Sequence, residues 1–215
     1  MSIFQHRLFH TAVLAVFLVL FTVAAFADDE CYSVELLYFT SDHTTEGRVD
    51  THFDQKLFEL GRSTSEKLFG EQRMKRYGAM ASRCFWDGNS VFTYGAYIDP
   101  AGQIIGHSEL GDLHVRQDSI GVFALGGYRV GRFTGYAGGF AEHRKTKVHS
   151  WLPVSPTQIE EHHDTYSDFS TGLMAKVTVD LISDVSASCN VMFDVGDMDT
   201  IGTSRVYGCG VRYEF

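Results

Sequence analysis

Hydrophobic and polar residues alternate with a period of two along much of this chain, most plainly at its end. There Tyr207, Cys209, Val211, Tyr213 and Phe215 alternate with Gly208, Gly210, Arg212 and Glu214. Successive side chains of a strand point to opposite faces, so this segment has one apolar, aromatic face and one small or charged face. The pattern returns in Val185, Ala187, Cys189, Val191, Phe193 and Val195 against Ser186, Ser188, Asn190, Met192 and Asp194. It returns again from Phe169 to Leu181, with Asp168, Gly172, Lys176 and Asp180 among the opposite set, and from Ile120 to Val130. Dyad segments of about ten residues are what a membrane-spanning β-barrel requires, because lipid-facing and lumen-facing side chains alternate along each strand.

Extended over the chain, this period predicts eight strands, near 31–40, 75–86, 90–98, 117–130, 133–142, 166–181, 185–194 and 204–215. Short joins at Asp87-Gly88-Asn89, Gly131-Arg132 and Ser183-Asp184 alternate strictly with long ones at 41–74, 99–116, 143–165 and 195–203. Up-and-down barrels have that rhythm, with tight turns at one mouth and longer loops at the other. In the first long join, Asp50 or Thr51 is placed to cap a short helix carrying Phe53, Leu57, Phe58 and Leu60 and stopped by Gly61, and a further helical turn is expected over 65–69. A soluble lipocalin-like barrel is the competing architecture, but it would turn its apolar side chains inwards.

The nine C-terminal residues resemble the last strand of the small outer-membrane β-barrel proteins of Gram-negative bacteria, the OmpX and OmpA transmembrane-domain type, which ends in Phe after apolar residues at alternate positions. The resemblance implies an all-β, eight-stranded antiparallel up-and-down transmembrane barrel of the outer membrane, in contact with its lipid and lipopolysaccharide. It also implies that Tyr207, Val211, Tyr213 and Phe215 form the signal read by the barrel-assembly machinery.

The N-terminus has a different pattern. Arg7 precedes an apolar stretch from Thr11 to Phe26 that closes on Ala25-Phe26-Ala27, a small-x-small site. This is the form of a secretory signal peptide cleaved after Ala27. A membrane-anchoring helix is the alternative, yet the run is marginal for a span of ~20 residues, and Asp28-Asp29-Glu30 follows where a basic stop-transfer cluster belongs. The chain thus divides into a signal peptide, 1–27, and one barrel domain, 28–215. Loss of Arg7 leaves 17 Lys and Arg against 27 Asp and Glu. Such an acidic chain, with no stripe of Lys and Arg, is unsuited to nucleic acid.

With the apolar faces towards lipid, Glu35, Arg129, Lys176, Asp180, Arg212 and Glu214 point into the lumen, three acids and three bases that should neutralise one another. Eight strands leave an interior that side chains fill, so a plugged barrel is expected and a narrow gated channel is the alternative. Gly121, Gly127, Gly135, Gly139, Gly172, Gly208 and Gly210 are expected to make room for larger inward groups. Directly opposed residues of an antiparallel hairpin have a constant sum of residue numbers. A final loop centred near Asp199 gives 398, matched by Cys189 and Cys209; strand ends near Ser41 and Met74 give 115, matched by Cys31 and Cys84. Both pairs are therefore expected to oppose each other across strands, the first in the lumen and the second facing lipid, within disulfide reach. No CxxC spacing points to zinc or to thioredoxin-like chemistry.

The eight histidines after Ala27 all fall in the long joins or at their rims, most densely in Glu160-Glu161-His162-His163-Asp164, with His143 and His149 at the other end of the same join. Imidazole with carboxylate suits zinc, copper or nickel, but the ligand order matches no defined motif, and a solvated polar loop is the expectation. His149-Ser150 with Glu160, Glu161 or Asp164 supplies the residue types of an acyl hydrolase, and some eight-stranded outer-membrane barrels are lipid A deacylases or acyltransferases. Neighbouring extended residues diverge, however, which weighs against that pair. Phe53, Phe58, Phe69, Trp151 and Leu152 place apolar groups in outward segments. The expectation is therefore a structural or surface-interaction protein with no catalytic residue, cofactor or metal, meeting any extracellular ligand through 41–74 and 143–165.

Overall fold

The computed structural model describes residues 29–44, 71–108, 111–155, 158–194 and 203–215. The predicted signal peptide and the helices expected within 50–69, with Phe53, Phe58 and Phe69, lie outside these residues. The chain forms eight strands: β1 (Asp29–Thr44), β2 (Glu71–Asp87), β3 (Ser90–Ser108), β4 (Gly111–Val130), β5 (Phe133–Ser155), β6 (Gln158–Ile182), β7 (Val185–Asp194) and β8 (Thr203–Glu214). Each pairs antiparallel with its sequence neighbours, and β1 pairs with β8, which closes an up-and-down barrel. Closure continues past β8: the Phe215 amide donates to the Tyr32 carbonyl and the Tyr32 amide to the Phe215 carbonyl.

Two-residue turns join β2 to β3 at Gly88-Asn89, β4 to β5 at Gly131-Arg132 and β6 to β7 at Ser183-Asp184. Gly88 and Gly131 have φ of 60° and 61°. That left-handed conformation matches the turn to the twist of the strands and favours glycine.

The faces follow the sequence period. On β4, Ile120, Val122, Ala124, Gly126, Tyr128 and Val130 face outwards and Gly121, Phe123 and Leu125 inwards. The odd-numbered residues of β6, β7 and β8 also face outwards from Phe169, Val185 and Tyr207 onwards. Eleven residues from Ile120 to Val130 rise ~37 Å along the strand, or roughly 26–30 Å along the membrane normal at the usual tilt, which matches a hydrocarbon core. Around the turn-bearing mouth the outer face becomes aromatic: Tyr32 stacks on Phe215, Phe215 on Tyr213 and Phe85 on Tyr94. Arg83 also faces outwards in this girdle. It meets Glu30 at 2.5 Å and lies over the rings of Phe85 and Tyr32, so its charge is paired where the bilayer meets water.

The joins at 99–116 and 143–165 are not long loops. β3 and β4 pair up to Ser108 and Gly111, and β5 and β6 up to Ser155 and Gln158. The alternation of apolar residues stops at Ile120 and Phe169 because lipid stops there, while the hydrogen-bonded ladder needs no lipid and continues. From Lys145 to Ser155 the strand rises a further ~37 Å, so β5 and β6 project well beyond the membrane.

Candidate functional site

Side chains of both kinds fill the interior. Towards the turn-bearing mouth, Glu35 of β1 pairs with Lys176 of β6 across the lumen; both are almost fully buried. The Ser188 hydroxyl donates to the other Glu35 oxygen at 3.0 Å, and Lys176 Nζ lies 5.5 Å from the centre of the Tyr136 ring. Arg212 donates to the Tyr136 hydroxyl at 2.9 Å and lies 2.9 Å from Glu214. At the mouth itself Arg129 pairs with Asp180, which also accepts from Ser186, and its guanidinium sits over Trp86. All six predicted lumen charges lie on the inward face: Glu35, Lys176 and Arg212 are buried, Glu214 beside Arg212 is partly exposed, and Arg129 pairs with Asp180 at the mouth.

A second group of ionised residues occupies the outer half of the lumen. Arg76 of β2 meets Asp99 of β3 at 2.5 Å, each with a side chain 3% exposed. The Tyr97 hydroxyl donates to Glu142 at 2.8 Å, Glu142 pairs with Arg144, and Arg144 reaches Asp194 at 3.4 Å. None of these residues was among the six expected in the lumen. Four of them, Asp99, Glu142, Arg144 and Asp194, fall at or beyond the predicted ends of strands. The signal was present: Glu142 and Arg144 have the same even parity on β5 as the inward Tyr136 and Phe140.

The glycines divide by face. A side-chain carbon at Gly121 would lie 2.5 Å from the Tyr97 ring, one at Gly172 2.6 Å from Phe140 and one at Gly208 2.7 Å from Phe39, so these glycines accommodate inward aromatics. At Gly127 it would meet Tyr136, and at Gly210 the backbone of Leu36. Gly135 and Gly139, expected to do the same, have outward parity on β5, and Gly135 faces open space. Their assignment to the lumen is corrected: the run of small residues on β5 leaves no apolar alternation to mark which face is which.

Cys31 stands opposite Cys84 on the lumen face and Cys189 opposite Cys209 on the lipid face, with Cα atoms 5.0 and 4.1 Å apart, and both pairs are disulfides. Cys84 Sγ lies 3.6 Å from Arg212, so the first disulfide packs against the buried ionic group.

On the outer face above the lipid band, charge replaces apolar side chains. Arg116, Asp118, Lys145 and Lys147 face outwards on β4 and β5, just above Ile120, Ala141 and Phe169. His149 also faces outwards whereas Ser150 is buried inside, so the adjacent His–Ser pair cannot act as base and nucleophile. A different pair meets across strands: His143 Nε2 and Ser167 Oγ are 3.1 Å apart on the outer face, with His143 opposite Phe169 in the ladder. Higher on the same face, His149, Glu161 and His163 converge. Glu161 there lies beyond the membrane, and its carboxyl is held below its ordinary range chiefly by the hydrogen bond with His149, then by the charge of the two imidazoles.

A closed sheet with an apolar belt outside and ion pairs inside inverts the plan of a soluble barrel and is that of a protein spanning a membrane. No family model matches the sequence, and no curated protein matches it. Solved structures do. Ail, the attachment invasion locus protein of Yersinia pestis, is similar with a TM-score of 0.51 at 14% identity, over 87% of this chain and 99% of its own. Ail in complex with the heparin analogue sucrose octasulfate has a TM-score of 0.51 at 9% identity, again over 87% and 99%. Neisserial surface protein A has a TM-score of 0.44 at 13% identity, over 86% and 97%. The likeness is one of fold: this chain has the architecture of the small eight-stranded outer-membrane β-barrels of Gram-negative bacteria. Its closed sheet and outward apolar belt make it a membrane-spanning β-barrel.

Proposed function

We propose that this barrel is a non-catalytic surface-interaction protein, exported with a signal peptide cleaved after Ala27 and closed to solutes by its own side chains. The observation that carries this reading is the continuation of β3–β6 beyond the lipid band, which presents a hydrogen-bonded sheet to the outside. Two stacked groups of ion pairs in the lumen favour a plug over a pore, since every charge in them has an opposite partner. Arg116, Lys145 and Lys147, just above the apolar belt, suit the phosphates of surrounding lipopolysaccharide. The test replaces 143–165 with a two-residue turn in a full-length barrel and measures adherence of expressing cells to a second cell surface. Loss of adherence by a variant that still folds supports the proposal; unchanged adherence with both 143–165 and 41–74 replaced rejects it.

The hydrogen bond between His143 and Ser167 favours a second reading, an acyl hydrolase acting on lipid A. A histidine base beside a hydroxyl nucleophile, facing outwards at the membrane surface, has access to an outer-leaflet ester. Lipid A mass spectra from cells with and without the protein separate the two readings. A changed acyl pattern that Ser167→Ala abolishes establishes the enzyme.

A further inference from the structure

The projecting part of β5 and β6 brings three donors together that lie far apart in sequence. His149 stands directly opposite His163 in the ladder, and Glu161, two residues before His163, shares its outward face. One oxygen of Glu161 hydrogen-bonds His149 Nε2 and lies 3.2 Å from His163 Nε2. Each of the three residues offers a donor atom within 4.8 Å of the other two. The His149 ring is held between two others, with its centre 3.6 Å from that of His163 and 3.7 Å from that of Trp151. The histidines are therefore oriented by packing before anything binds, which is what an effective ligand set needs.

We propose that His149, Glu161 and His163 bind one divalent transition-metal ion of the zinc class on the extracellular extension of the barrel. Two imidazoles and one carboxylate form a donor set suited to zinc, with nickel and copper as competitors, whereas calcium and magnesium demand oxygen ligands in larger number. A tetrahedral ion with ligands at ~2.0–2.1 Å sets its donors about 3.3 Å apart. The edge from His163 to Glu161 is already close to that, at 3.2 Å. The edge from His149 to Glu161 opens by rotation of the Glu161 carboxylate, which is half exposed. Three protein ligands leave a fourth position for water or for a donor from a partner outside the cell. Linear order conceals the site, since the spacing 149, 161, 163 means nothing until the hairpin register superposes its two ends. The other converging group, Cys31, Cys84 and Glu214, is no rival, because its sulfurs are joined in a disulfide and present no thiolate.

The full barrel in detergent, stripped with chelator, is titrated with Zn2+ alone by calorimetry, and with Cu2+ while tryptophan fluorescence is followed. Trp151 touches the site, and the chain's other tryptophan, Trp86, sits at the opposite mouth, so Trp151→Phe assigns the signal. One Zn2+ per barrel is expected, undisturbed by excess Ca2+ or Mg2+, with Cu2+ quenching that Trp151→Phe removes. His149→Ala, His163→Ala and Glu161→Gln are each expected to weaken zinc binding by at least the roughly 10–100-fold that loss of an outer-shell contact causes. His143→Ala, lower on the same face, is expected to bind as the parent does. All these side chains face outwards, and heat-modifiable migration verifies that each variant is folded. Equal zinc affinity in the His149→Ala/His163→Ala double variant, or displacement of zinc by Ca2+, overturns the proposal.

Discussion

At the scale of single residues, the lumen is governed by what burial does to charge. Glu35 and Lys176 are the clearest case, since each is almost wholly withdrawn from water and the partner of each lies on a strand across the barrel. Lys176→Met alone leaves the Glu35 carboxylate buried without its cation, and we expect it to cost about 3–5 kcal/mol in urea unfolding of the refolded barrel. The double variant Glu35→Gln/Lys176→Met removes both charges and is expected to recover most of that loss. Equal destabilisation by the single and double variants would show that the pair is not coupled. Glycines permit a similar contrast. Gly121→Ala drives a carbon into the Tyr97 ring and is expected to cost about 1–3 kcal/mol, whereas Gly135→Ala, facing open space, is expected to be close to neutral in the same measurement.

At the scale of the strand, the last residue closes the barrel twice over, through two backbone hydrogen bonds to Tyr32 and through ring contacts with Tyr32 and Tyr213. Phe215→Ala keeps the first and loses the second; deletion of Phe215 loses both. Folded yield, read as heat-modifiable migration, is therefore expected to fall in the order parent, Phe215→Ala, deletion, with export unaffected. Identical yields for all three would remove the C-terminal residue as an assembly determinant. Strand register was legible for physical reasons. The period of two fixes which residues share a face, and two hairpins with sums of 115 and 398 are the ladders observed in β1–β2 and β7–β8. Strand ends were not legible above the membrane, because polar residues on both faces leave no periodic signal. The extension of β3–β6, and with it the buried pair Arg76–Asp99, emerged only when backbone pairing was seen to outlast the lipid belt.

At the scale of the molecule, the alternation of tight turns with outward projections orients the barrel in its membrane. Proteases added to intact cells are expected to cut within 41–74, to leave the paired flanks 143–153 and 160–165 largely uncut because their backbone is held in a ladder, and to spare 88–89, 131–132 and 183–184. Cleavage at those turns from outside would reverse the topology. In planar bilayers the purified barrel is expected to show no steady conductance, and stable channel openings would refute the plugged lumen.

The sequence by itself determined the all-β class, the number of strands, their facing and the tight turns, because the rule behind each is local: side chains alternate along a strand, lipid accepts only apolar ones, and a two-residue turn needs its own backbone geometry. Tertiary structure alone decided which side chains meet. Glu35 finds Lys176 at a separation of 141 residues, and His143 meets Ser167 rather than any neighbour in the chain. His149, Glu161 and His163 come within ligand distance of one another through a hairpin whose outer half carries no pattern. Such contacts depend on stagger and closure of the whole sheet, which no short stretch of residues encodes.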